Sequence, residues 1–150
     1  MKHGCTADPS MGDDLNLAEL GALMHAAGVF LYTASKTRHA PTWRGLRTAG
    51  VPVISTWIDE AGPGETASFP DLWSRCIREA STASALLVYA EEGDVLKGGF
   101  VEVGAALGCG VPVFAVGTRA GWSFTSHPLV TKCESVAEAL RLALRTRSVG

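Results

Sequence analysis

The segment Ala85-Leu86-Leu87-Val88-Tyr89-Ala90 constrains this chain most, because it is an apolar run with no alternation between two helix-patterned stretches. A strand of that kind is covered on both faces, as a central strand of a parallel sheet is. Val29-Phe30-Leu31-Tyr32-Thr33, Val51-Pro52-Val53-Ile54-Ser55-Thr56-Trp57 and Val111 to Val116 repeat the pattern. Pro52 is tolerated near a strand start. Leu129 to Thr131 adds a short edge strand. Helical stretches alternate with these runs, from about Pro41 to Thr48, Phe69 to Ala83 and Gly98 to Leu107. A last one begins at the capping box Ser135-Val136-Ala137-Glu138 and reaches about Thr146. The helix from Phe69 carries the stripe Phe69, Leu72, Trp73, Cys76, Ile77 and Ala80. Short connections between alternating strands and helices are the mark of βαβ units. The expected fold is α/β, a doubly wound parallel sheet of about five strands with helices on both faces, Rossmann- or flavodoxin-like.

That domain covers residues 29–150. Residues 1–28 read as an N-terminal tail and a short helix. Its stripe is Leu17, Leu20, Leu23 and Met24, with Asp13 or Asp14 as the cap and Gly28 as the end. A chain of 150 residues fits one domain of ordinary size. Formal net charge is −2 with dispersed basic residues, so no nucleic-acid polymer is the expected partner. No stretch approaches the roughly 20 apolar residues of a membrane span, and the start has no signal-like run, so the expected location is the cytoplasm. Cys5, Cys76, Cys109 and Cys133 form no C-x-x-C pair and read as small hydrophobes in a reducing compartment, with no metal site and no cofactor implied.

Ligands of open parallel sheets bind beyond the carboxyl ends of the strands. The loops expected there are long and acidic, holding Asp59, Glu60, Glu65, Glu91, Glu92 and Asp94, and long connections of this kind suggest function. Each acid taken singly also reads as solvated loop. Glu102 is different, as the one polar side chain between Gly98 and Gly110. A helix apolar all round packs on both faces, here on the sheet and on something else such as a second subunit. A carboxylate in that setting costs several kcal/mol unless paired, hydrogen-bonded or protonated. The other reading is a structural acid bonded to Arg38 or Arg44. Lys97-Gly98-Gly99 ahead of it lets an anionic ligand approach backbone N–H groups, or marks a plain turn. Trp57, at a strand end, stacks on a base or packs. Trp73 packs, with stacking on a base as its alternative. Ser35 bonds a phosphate or a sugar hydroxyl, or caps the next helix. The four histidines receive no role.

The pattern resembles the nucleoside 2-deoxyribosyltransferase-like superfamily, which includes nucleoside 5′-monophosphate N-glycosidases, over about residues 29–117. Phe30-Leu31-Tyr32-Thr33-Ala34-Ser35 looks like the family's opening strand and ligand-binding turn. Asp71-Leu72 looks like the acid that opens the helix before the third strand. Lys97-Gly98-Gly99-Phe100-Val101-Glu102-Val103-Gly104 looks like its G-x-x-x-E-x-G. The place six residues before the glutamate, an Asp in the transferases, is Leu96 here, and Ala83-Ser84 replaces Ala-Asp. The resemblance implies cleavage or transfer at an N-glycosidic bond of a nucleoside or its 5′-monophosphate. Glu102 would be the nucleophile, Asp71 or Asp94 would assist the base, and Tyr32 or Ser35 would fix sugar or phosphate. It also implies a homo-oligomer in which a neighbouring subunit completes the site. A nucleotide-binding or sensing module without catalysis is a second expectation, and an oligomeric scaffold in which helix 98–108 is only an interface is a third.

Overall fold

The computed structural model describes residues 16–61, 66–117 and 122–149, with side chains described as far as residue 146. The expected tail, Asp13, Asp14, Glu65 and the loop centre at 118–121 lie outside the described residues. Helix α1 spans Leu17–Ala27, and its cap is Asn16. Asn16 Oδ1 accepts from Glu19 N–H (2.8 Å) and Glu19 Oε1 accepts from Asn16 N–H (3.0 Å), a reciprocal capping box. Leu20 and Met24 are buried while Leu17 and Leu23 stay exposed, so half of the expected stripe faces inward.

The sheet contains β1 (Leu31–Ala34), β2 (Ala85–Tyr89), β3 (Val113–Val116) and β4 (Val130–Cys133), all parallel and in chain order. Helices α2 (Ala40–Thr48), α3 (Phe69–Thr82), α4 (Gly98–Gly108) and α5 (Val136–Val149) complete the set. Every residue of β1 and β3, and all of β2 but Tyr89, is buried, so both sheet faces are covered. Helix α3 lies against α4, which crosses β1, β2 and β3, while α5 packs on β2, β3 and β4 beside α1. The architecture is α/β and consistent with a Rossmann-like arrangement.

Among the described residues the strands number four, not about five. Residues 51–57, expected to be the second strand, make one parallel bridge, Val53 to Leu31, and turn into a 3-10 segment at Thr56–Glu60. Leu31 N–H donates to Pro52 O (2.9 Å) and Ile54 N–H to Leu31 O (2.8 Å). The next rung is then taken by a side chain, since Thr33 N–H donates to Ser55 Oγ (2.7 Å). A hydroxyl that replaces a backbone carbonyl ends the ladder. Ser55→Ala should therefore cost about 1–3 kcal/mol, because it strands the buried Thr33 N–H. Urea unfolding at neutral pH measures it, and an unchanged midpoint would show that the hydroxyl is dispensable.

Counted with this edge segment, the order is 2-1-3-4-5. The chain leaves β1 toward one edge and returns across it to β2. The direction of winding thus reverses between β1 and β2, and a crevice opens there beyond the carboxyl ends.

Candidate active site

A cleft of about 210 Å³ occupies that crevice. Ser35, Lys36 and Thr37, directly after β1, form one wall. Leu96, Lys97, Gly98 and Gly99, between β2 and α4, form the other. Trp57, Leu72, Trp73 and Cys76 close the side, and Glu102 lies among them. A second hollow of about 410 Å³, lined by Thr37, Trp57, Glu60, Ala61, Thr66, Phe69 and Leu72, shares Thr37, Trp57 and Leu72 with it.

Glu102 stands in the second turn of α4, past the first turn where the helix dipole acts most strongly. It is 7% exposed and, among the described residues, has no cation within ion-pair distance. Neither expected arginine reaches it. Arg38 pairs with Glu91 and Asp94, and Arg44 donates to Ile58 O (2.5 Å). Burial pushes the Glu102 carboxyl up to about 7, the neighbouring Tyr32 hydroxyl and Cys76 thiol partly offset this, and nearby Glu79 raises it further. Burial likewise pushes the Cys76 thiol up to about 11. The Tyr32 phenol is raised by burial and then by Glu102. Its hydroxyl is buried and approaches the carboxyl and the thiol without reaching full hydrogen-bond geometry with either. A carboxyl poised near neutrality in a cleft suits a nucleophile or a proton carrier.

The structure brings Ser35, Trp57, Lys97, Gly98, Gly99 and Glu102 together, with Tyr32 behind them. Trp57 is packed, its indole N–H donating to Thr33 O (2.7 Å), while part of it borders the cleft. Ser35 Oγ accepts from Trp43 Nε1 (2.8 Å). A Cβ at Gly98 would come within 3.0 Å of the Trp73 ring, so glycine lets that ring lie against the start of α4.

Asp71, Asp59 and Asp94 do not line the cleft. Asp71 is exposed and bonded to Arg75 one turn on (2.9 Å). Asp59 pairs with Arg47 (2.8 Å), which holds its carboxyl below the ordinary range despite some burial. Asp94 is drawn away into a cluster. Burial opposes its charge, but Glu91 N–H, His39 and Arg38 outweigh that and hold the carboxyl near 2.

Sequence reasoning missed several neighbours. Cys76 belongs to the expected core stripe of α3 and Trp73 to its packing face, yet both line the cleft, as suits Trp73's alternative as a stacking residue, because α3 turns this side toward α4. Trp73 and Phe69 remain exposed. Cys109, one of the cysteines expected to be small hydrophobes, is exposed at the end of α4. His39 received no role, but it is buried and bonded to Asp94. Nor is α4 enclosed all round, since Phe100 and Val101 are exposed within this chain. Among the described residues no group of His, Cys, Asp and Glu is gathered as for a metal ion, and no helix is long and apolar enough to cross a membrane. Compared with known proteins, the chain matches no family model, no curated protein and no solved structure.

Proposed function

We propose that this chain cleaves the N-glycosidic bond of a nucleoside 5′-monophosphate, with Glu102 as the nucleophile. The observation that carries the reading is Glu102 itself, an acid withdrawn from water and unpaired beside a cleft at the sheet's carboxyl rim. The carboxylate attacks the anomeric carbon as the bond to the base breaks, giving a glycosyl ester. Water then attacks that carbon, loses a proton to the surroundings and frees the carboxylate. No second carboxyl joins Glu102 at the cleft among the described residues, so the departing base takes its proton from solvent. Among the described residues no carboxyl besides Glu102 lines the cleft to activate an incoming base, which favours hydrolysis over transfer. Lys36 and Lys97 stand exposed at the two walls, with Gly98 and Gly99 N–H groups beside them, and support a phosphate.

Chromatography of base release from a panel of nucleosides and 5′-monophosphates tests this. Monophosphates are expected to react, and Lys97→Ala should raise their KM by about tenfold while leaving kcat close to wild type. Faster release from free nucleosides would remove the phosphate from the reading.

Leu96 in the cleft wall, with Asp94 turned away, favours one second reading, a nucleotide-binding or sensing module. It expects monophosphates to raise Tm with no base released. A homo-oligomer belongs to the first reading, and the exposed apolar surface of Phe69, Trp73, Phe100 and Val101 supports it. Light scattering on the purified protein gives the copy number.

A further inference from the structure

We propose that Asp94 and His39 are positioning residues whose bond clasps the loop after β1 to the loop after β2 and so sets the width of the cleft. His39 Nε2 lies 2.7 Å from Asp94 Oδ2, with side chains 6% and 4% exposed. The same carboxyl accepts from Glu91 N–H (2.9 Å) and from Arg38 Nε (3.1 Å). Glu91 in turn takes Arg38 Nη2 (3.2 Å) and the Tyr89 hydroxyl (2.6 Å). The His39 ring meets Tyr89 edge-on at 5.0 Å, and Tyr89 meets Trp43 edge-on at 5.4 Å. Trp43 donates to Ser35, which brings the chain of contacts back to the cleft wall.

The placement gives this cluster its effect. The parallel register of β1 and β2 ends at Ala34 and Val88, and past it side chains join the two loops. One wall, Ser35–Thr37, directly precedes Arg38 and His39. The other begins at Leu96, two residues after Asp94. A bond between positions so close to both walls restrains the gap between them. Loss of the bond leaves both strands in the sheet and frees the walls, which is local opening and not global unfolding. Asp94 then acts on the site through the loops, never touching the substrate.

Alkylation of Cys76 by iodoacetamide, followed by peptide mass spectrometry, reads the cleft without any ligand. Cys76 lines the cleft at 2% exposure, and Cys133, 7% exposed at the end of β4, is the internal reference. Asp94→Asn and His39→Ala are each expected to speed Cys76 alkylation at least about fivefold relative to Cys133. His39→Gln, which keeps a donor near the place of Nε2, should restore most of the protection. Equal acceleration at both cysteines, or none at Cys76, overturns the clasp. A second arm rests on the glycosidase reading. There the same variants should raise KM several-fold with kcat changed by less than about twofold, and His39→Gln should recover KM. A kcat loss at unchanged KM also overturns the clasp. Wild-type protein that turns over nothing defeats the glycosidase reading alone, since the alkylation ratio needs no substrate.

Discussion

Glu102→Gln is expected to lower base release by roughly 10³-fold or more while leaving the fold intact. The amide keeps the size of the carboxyl, but it cannot attack an anomeric carbon. The same substitution should change the pH dependence of stability. In the native state the carboxyl keeps its proton up to about pH 7, against an ordinary value of 4.5. Folding therefore takes up a proton between those values, and wild type loses stability as pH rises from about 4.5 to about 7. With the side chain only 7% exposed, that loss is about 3 kcal/mol. The Gln variant has no such slope, so its Tm should exceed wild type at pH 8 and converge on it near pH 5. Wild-type kcat should rise through pH 7 as the carboxylate forms. A Tm difference that stays flat from pH 5 to pH 8 would mean the acid is not held from water, and the glycosidase reading would lose its basis.

How far the sequence speaks for this molecule depends on the range of each interaction. The unalternating run at 85–90 signals a doubly covered strand by itself, and β2 spans Ala85–Tyr89. The lone acid at 102 is a local contrast as well, legible in thirteen residues without knowing what surrounds them. Residues 51–57 mislead because their pattern is that of a strand. What ends the strand is a bond from Ser55 to Thr33, 22 residues earlier. Cys76 and Trp73 mislead in a related way. Their helical period is right, but which side of α3 meets α4 and which borders a cleft depends on partners that the period does not name. Asp94 lies close in sequence to the motif it was read with. Its orientation is decided by Arg38 and His39, some 55 residues away. Local patterns thus identify the elements and the one costly residue, while long-range hydrogen bonds decide which of the other candidates face the cleft.

The largest stability loss is expected from Gly117→Ala, at about 2–4 kcal/mol. Gly117 directly follows β3 with φ +78°, a left-handed conformation that costs an alanine about 1 kcal/mol. A Cβ there would also fall 1.9 Å from the carbonyl oxygen of Ala90, a backbone atom that cannot swing aside. Ala90 is tied in turn by its N–H to Val116 O (3.1 Å). Relief requires the ends of β2 and β3 to part, and such overpacking typically costs 1–3 kcal/mol more. Gly28→Ala supplies the comparison. Gly28 has nearly the same φ, +72°, but nothing lies within 4 Å of its would-be Cβ, so it should lose only the roughly 1 kcal/mol of conformational strain. The difference between the two variants in urea unfolding isolates the close approach of the two strand ends. Equal losses would show that the rim yields freely at Ala90. A large excess for Gly117 would show that it is rigid where Glu91 and Asp94 begin, as a clasp holding the cleft walls requires.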